Sequence, residues 1–370
     1  MKAQLRNNPV NVLRIILYRF RFASMIIAIN FVIALFFSCS EDPMGSSIDD
    51  RNLITVIPED VGYSSTKLEE VKEAAKTSGF DAMIVLYDGK ILFSWGEVST
   101  NYFAHSIRKP FLSALYGIHV SNGTINLEAT LEELQIDDIP PSLTSEEKQA
   151  TVRQLLQSRS GVYHEAAAEM QSMIDSRPER GSHPPGAYFY YNNFDFNVAG
   201  VIFEQETGTK IFEEFKQRIA TPIGMQEFSP ENCHYHYELE KSKHPAYIFR
   251  MSARDMARFG ALYQKNGNWD GEQIISEDWI EESTTVYSIE DTTLGNGYGY
   301  MWKIIPEGSI LSEMFGGYRV IFHTGFGGVQ ALVIIPELNL VIVQRTNTDG
   351  PFEDKEMGME LGMMIINAKL

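Results

Sequence analysis

Residues 104–115 read AHSIRKPFLSAL, with Ser106 and Lys109 three apart just ahead of an apolar run. The pair is either a nucleophile with its base or the polar front of an amphipathic helix. Spacing alone does not choose, since Ser64…Lys67 and Ser145…Lys148 repeat it. Pro110 narrows the geometry. Proline is tolerated only in the first turn of a helix, so the helix through FLSALYGIHV begins close to Ser106. At that end backbone N–H groups lack partners and the helix dipole is positive, which suits a carbonyl oxygen that becomes negative under attack. Side chains three apart share a face and long ones lean toward the amino end, so Lys109 reaches the Ser106 oxygen. Burial and neighbouring positive charge would hold that lysine close to neutral, able to take the serine proton. Lys109 precedes the proline and is therefore biased away from helical angles, which predicts a tight or irregular first turn.

Outward from this stretch, the chain changes period twice. Upstream, KLEEVKEAAKTSG reads as a helix opened by a capping box at Thr66 and Glu69 and closed by Gly79. AMIVLY and KILFSW then flank Asp88-Gly89, a hairpin turn between β-rich runs. From about Ser106 to Arg258 the pattern is mostly helical, as in SLTSEEKQATVRQLLQS and GTKIFEEFKQRIATPIG. SARDMARFGALYQKNG is a further helix, ended by Asn266-Gly267. Strand signals return in GYGYMWKII, RVIFHTG, VQALVIIP and LNLVIVQRT, the last two joined by the turn Pro336-Glu337-Leu338-Asn339, and FEDKEMGMELGMMIINAKL reads as a closing helix over the sheet. No internal repeat or low-complexity segment interrupts this order. The organisation expected is a layered α/β (α+β) domain over 58–105 and 259–370, with a mainly helical insertion over 106–258.

Two distant motifs weigh on the Ser106 question. PPGAYFYYNNFDFNVAGVIF (184–203) is similar to the P-G-x-x-F-x-Y-x-N segment of the serine β-lactamase and penicillin-binding-protein superfamily. Aligning Pro185, Gly186 and Phe189 selects Tyr191-Asn192-Asn193 over Tyr190-Tyr191-Asn192 as its Tyr-x-Asn. RVIFHTGFGGVQALVIIP carries His323-Thr324-Gly325 where the superfamily has Lys-Thr-Gly or a His variant. Neither the Ser-Asp-Asn nor the Lys-Thr-Gly motif of the class A branch occurs literally. The chain resembles instead the branch of class C β-lactamases, D-aminopeptidase and carboxypeptidase-like proteins, esterases and 6-aminohexanoate-dimer hydrolases. TVRQLLQSRSGV, MSARDMARFGALY and GYGYMW extend the resemblance over roughly residues 60–370.

This resemblance implies an antiparallel sheet flanked by helices, with Ser106 as the nucleophile of an acyl-enzyme. Lys109 and Tyr191 would share the acid and base work, and which of them takes the proton is left open. Asn193 would hold the Lys109 amine or a substrate amide. The N–H groups of Ser106 and Phe326 would form the oxyanion hole, each donor worth about 3 to 4 kcal/mol in the transition state. His323, Thr324 and Gly325 would face the substrate. A neutral histidine is a weaker counter-charge than lysine for a substrate carboxylate, which disfavours β-lactams and leaves small amides and esters. No cofactor is implied.

The rest of the chain bounds these expectations. Its 370 residues, 44% hydrophobic and 12% aromatic, bury a large core. Lys2, Arg6, Arg14, Arg19 and Arg21 precede the apolar run ASMIIAINFVIALFF (23–37), the pattern of an export signal and shorter than a membrane-spanning helix. Ser38-Cys39-Ser40-Glu41-Asp42 follows like the end of a bacterial lipoprotein signal, so lipid on Cys39 would tether the chain in the cell envelope, at a membrane. Loss of the leader's five cations takes the net charge from −18 to −23, that is 26 Lys and Arg against 49 Asp and Glu, a surface that repels nucleic acid. With Cys39 lipidated only Cys233 remains, and no intramolecular disulfide forms. Cys233-His234-x-His236 lacks a second cluster to complete a zinc site, so no metal is expected. His119 is expected to pack within its apolar helix, His105 and His164-Glu165 to line the cleft, and Tyr298, Tyr300 and Trp302 to form an aromatic wall or core. The expected partner is thus a small amide, ester or peptide substrate. Rival readings are a peptidoglycan D-amino-acid peptidase or β-lactamase, and an inactive binding protein on the same scaffold.

Overall fold

The structure is a computed structural model that describes residues 53–350 and 358–370; the leader and Cys39 lie outside them. The DG hairpin forms as its turn residues dictate: β1 (Ala82–Tyr87) and β2 (Lys90–Gly96) pair with Tyr87 opposite Lys90, and Asp88 and Gly89 both take positive φ, 47° and 74°. Six later strands complete one sheet: β3 (Ser288–Asp291), β4 (Asn296–Tyr298), β5 (Lys303–Ile305), β6 (Val320–Gly325), β7 (Gln330–Ile335) and β8 (Leu340–Arg345). Their order is β2-β1-β8-β7-β6-β5-β4-β3, with every neighbouring pair antiparallel. The first and last thirds of the chain therefore meet within one sheet, where β1 and β8 are the second and third strands from one edge. The run GYGYMWKII is not one strand but the β4–β5 hairpin, turning where Met301 adopts a φ of 60°.

Alternation along the strands buries both faces. On the outer face Met83, Val85, Leu340 and Ile342 pack with α1 (Ser65–Ser78) and the closing helix α5 (Gly358–Asn367). On the inner face Ile84, Leu332, Val341 and Val343 meet the larger core, which contains α2 (Arg108–Ser121), α3 (Asn193–Thr207) and α4 (Ala253–Gln264). Helix α1 is opened by Ser64, whose hydroxyl accepts the Lys67 N–H, rather than by a Thr66–Glu69 box; Ser64 holds the extended backbone that a cap requires. SLTSEEKQATVRQLLQS yields only a 3₁₀ turn over Glu147–Gln149 and a short helix, Val152–Leu156, because Ala150 and Thr151 are extended and Thr151 with Gln154 starts a fresh capping box. Residues 108–119 of α2 are all buried, as befits a helix through the middle of a core. Phe111 anchors it, with ring centroids 4.8–5.3 Å from those of Phe215, Phe249 and Phe259.

Candidate active site

The irregular first turn expected from Lys109-Pro110 is a 3₁₀ turn over His105–Ile107 that runs straight into α2. It places Ser106 at the amino end of a buried helix and Lys109 one turn on. The Lys109 Nζ donates to Ser106 Oγ at 2.9 Å. Among the described residues no carboxylate forms an ion pair with Lys109, although its side chain is 1% exposed.

Burial is the main force on Lys109. Together with the Arg108 and Lys303 cations it drives the amine pKa well below the ordinary lysine range. The Tyr191 and Phe196 rings, 4.7 and 4.5 Å away, oppose this by favouring the charged form. Such contacts are worth about 1–2 kcal/mol when desolvated. Removing an ammonium from water costs several kcal/mol, so the neutral amine wins. Arg108 is itself buried, donating to Asn197 Oδ1 at 3.1 Å and stacked 4.3 Å above the Tyr247 ring.

Tyr191 enters from the segment before α3 and sets its ring against Lys109, whose Nζ lies 4.7 Å from the ring centroid. Burial pushes its pKa above the ordinary tyrosine value, against the pull of Ser106 and Arg108, so it is a phenol at neutral pH. The competing Tyr190 points elsewhere and donates to the Met173 carbonyl. Asn192 caps α3 and bonds Val162 and Asp195. His323 is fully buried on β6, with its ring centroid 6.3 Å from that of Tyr191. Its Nδ1 lies 2.8 Å from the Thr324 carbonyl, which only accepts, so the proton sits there and Nε2 keeps a lone pair. Burial, then Lys109 and Lys303, hold this imidazole neutral, well below its usual pKa.

The backbone around Ser106 and Phe326 is tightly made. A Cβ on Gly325 would lie 2.8 Å from the Ala104 carbonyl oxygen and 3.0 Å from His105 Cβ, so glycine lets β6 close on the turn that carries Ser106. His105 and Phe326 both have a φ of 48°, uncommon for residues with side chains, and their ring centroids are 4.8 Å apart. His105 Nε2 also meets Thr348 Oγ1 at 2.7 Å, and burial lowers the His105 pKa to about 4.

Other expectations are redirected. Alternation along β6 turns the Thr324 side chain away from the Ser106 side; with Phe322 and Val333 it lines a cavity of about 250 Å³ between the outer sheet face and α5. Asn193 commits its amide to the Ala168 carbonyl at 2.5 Å, and its Oδ1 has no hydrogen-bond partner among the described residues. Its bond to Lys109 is not formed. His164 lies against the Glu165 carbonyl and Asp138 rather than in a cleft, and His119 pairs with Glu214 at 2.9 Å instead of merely packing. Tyr298, Tyr300 and Trp302 are fully buried core, Tyr298 backing Tyr191 at 6.0 Å. Among the described residues no group of three His, Cys, Asp or Glu side chains converges as a metal site.

Arg108, Lys303, Glu290 and Arg345 went unread in the sequence. The Lys303 Nζ lies 5.3 Å from the Tyr191 ring centroid and 2.5 Å from Glu290 Oε1. Arg345, buried at the end of β8, donates to the Tyr102 and Phe103 carbonyls and so anchors the strand that leads to Ser106. Arg108 and Arg345 face partners far away in the chain, Lys303 on β5 and Glu290 on β3 meet from 13 residues apart, and no local pattern marks any of them.

Comparison with known proteins agrees with this architecture. The Beta-lactamase family matches residues 71–361. A curated relative, the unguisins hydrolase ungD' of Aspergillus campestris (strain IBT 28561), is 22% identical over 308 residues, covering 73% of this chain and 56% of that protein, so this chain spans a little over half of the relative's length. A Bacillus anthracis protein described as a 6-aminohexanoate-dimer hydrolase superposes with a TM-score of 0.60 at 22% identity, covering 80% of this chain and 81% of that one. The octameric penicillin-binding protein homologue of Pyrococcus abyssi gives 0.58 at 20%, over 80% and 75%. A protein from Bacteroides dorei DSM 17855 described as a β-lactamase gives 0.61 at 18%, over 82% and 99%. At these identities the solved structures share the fold. With the family match running from α1 into α5, through Ser106, Tyr191 and His323, the chain belongs to the Beta-lactamase family.

Proposed function

We propose that this protein is a serine hydrolase that cleaves a small amide or ester through an acyl-enzyme on Ser106. The observation that carries the reading is the Lys109 amine, 2.9 Å from Ser106 Oγ, buried beside Arg108. A neutral amine in that position is a base; Tyr191, its pKa raised, is an acid. Lys109 takes the Ser106 proton as Oγ adds to the substrate carbonyl, and the N–H groups of Ser106 and Phe326 receive the oxyanion. Collapse breaks the bond to the leaving group, which takes a proton from the Tyr191 hydroxyl, and Lys109 returns its proton to Tyr191. Water then attacks the ester by the same route in reverse and frees Ser106.

The test is turnover of p-nitrophenyl butyrate and a p-nitroanilide, with nitrocefin alongside. Ester or anilide hydrolysis that drops at least about 10³-fold in Ser106→Ala supports the reading. Nitrocefin turnover would move the substrate class to β-lactams. Release of D-alanine from a peptidoglycan pentapeptide would move it to the peptidase alternative. Activity that survives in Ser106→Ala overturns the assignment.

The second part of the proposal is location: the cell envelope, by lipid on Cys39. The basic leader, the apolar run and the Ser-Cys-Ser-Glu-Asp sequence support it. Palmitate labelling of the full chain in bacteria, lost in Cys39→Ala together with membrane fractionation, is the result expected; an unlabelled chain contradicts it.

A further inference from the structure

The cations around Ser106 are not equivalent. Arg108 is buried on Asn197 and the Tyr247 ring, and Lys109 is spent on the serine hydroxyl. Lys303 is different. Its side chain keeps 19% of its exposure, and its Nζ reaches over the Tyr191 ring at 5.3 Å. Its counter-ion Glu290 keeps 20%, accepts Lys303 through Oε1 at 2.5 Å and is steadied through Oε2 by the Asn296 amide at 2.7 Å. An ion pair about one-fifth exposed thus stands beside the group that protonates the leaving atom. On β6, the position that would carry lysine carries the buried, neutral His323. The positive charge at this end of the site therefore comes from the adjacent strand, β5.

We propose that Lys303 is a carboxylate subsite on the leaving-group side of the scissile bond, with Glu290 as the internal anion that a substrate carboxylate displaces. The substrate class is then an N-acyl amino acid, or another amide or ester whose departing half bears a carboxylate. This deepens the serine-hydrolase reading and rests on it. The side is fixed by Tyr191: the carboxylate must lie near the phenol that serves the leaving atom, where Lys303 Nζ stands. Glu290 keeps the lysine placed, and once a substrate carboxylate takes the Lys303 contact the displaced Glu290 keeps the Asn296 hydrogen bond and its partial exposure to water. A neutral leaving group cannot replace Glu290, and leaves the pair closed.

Two esters with matched leaving groups test this, 3-(butanoyloxy)benzoate and 3-(butanoyloxy)benzamide, which differ in charge and little in size. The quantity read is the ratio of their kcat/KM values, in which any change of Lys109 basicity cancels. Wild type is expected to favour the benzoate by about 10-fold or more, the scale of a charge-assisted hydrogen bond. Lys303→Gln is expected to bring the ratio near one, and Glu290→Gln to raise it above wild type by freeing the lysine. Equal rates for the two esters in wild type, or a ratio that Lys303→Gln leaves unchanged, would overturn the subsite while the hydrolase reading stands. Failure to cleave either ester would overturn the hydrolase reading and the subsite with it.

Discussion

His105 and Phe326 face each other beside the turn that carries Ser106, ring centroids 4.8 Å apart, each on backbone of positive φ. One precedes Ser106; the other carries the second oxyanion donor in the proposed reaction. This tilted ring contact ties the two donors to a common spacing. Substituting either ring by alanine is expected to lower kcat about 10-fold, a fraction of the loss from deleting a donor outright, with KM little moved. The double variant should lose scarcely more than either single one, because both delete the same contact. Additive losses in a double-mutant cycle would show that the rings act separately.

Lys109 is held neutral against its own tendency, and this carries a stability cost. Its folded pKa lies below the unfolded one, so between the two values the unfolded chain binds more protons and stability rises with pH. Lys109→Met removes the penalty and keeps the volume. Thermal melting of this variant at neutral pH should therefore occur above wild type, at roughly 2–4 °C per kcal/mol gained, while hydrolysis disappears. The advantage should shrink as pH approaches the ordinary lysine range. A destabilised Lys109→Met would mean that the amine is charged and satisfied in the fold.

The same ionisation sets the pH dependence of kcat/KM. Activity is expected to rise with pH through one acid limb, that of Lys109, to a plateau. Arg108→Met and Lys303→Gln each remove a cation that lowers this pKa, so each should move the limb to higher pH. His323 stays neutral and His105 titrates near about 4, so neither supplies a limb at ordinary histidine pH. A limb that stays put in both variants would assign it to another group.

Tyr191→Phe distinguishes acid from base. A p-nitrophenolate leaves without a proton, whereas an amine does not. The variant should lose about 10²–10⁴-fold on an anilide and far less on p-nitrophenyl butyrate. Equal losses on both substrates would make Tyr191 the group that activates Ser106.

The three Ser-x-x-Lys matches show how much the sequence could say. Ser64 caps α1 while Lys67 reaches the Asn367 carbonyl, and Lys148, three after Ser145, pairs with Asp137 at 2.6 Å. Pro110 and the apolar run after it separate Ser106 from these locally, since they put it at the mouth of a buried helix, and the two distant motifs around Tyr191 and His323 single it out further. The strands around Asp88-Gly89 and Pro336–Asn339 were legible because turn chemistry is local. The choice of Tyr191 over Tyr190 needed the spacing from Pro185 and Gly186. The turn at Met301 and the partition of 150–156 were not legible, because the residues there carry no strong breaker. The Thr324 orientation follows from strand alternation beside His323 and was open to reading; the Arg108–Asn197 and Lys303–Glu290 contacts were not, because only tertiary packing brings them about.

The most direct measurement is covalent labelling of the purified full chain with a fluorophosphonate, followed by peptide mapping. The expected result is one adduct per chain, on Ser106, that forms faster as pH rises through the Lys109 limb and is absent in Lys109→Met. A chain left unmodified, or labelled at Ser64 or Ser145 instead, would contradict the assignment of Ser106 as a nucleophile activated by a neutral lysine.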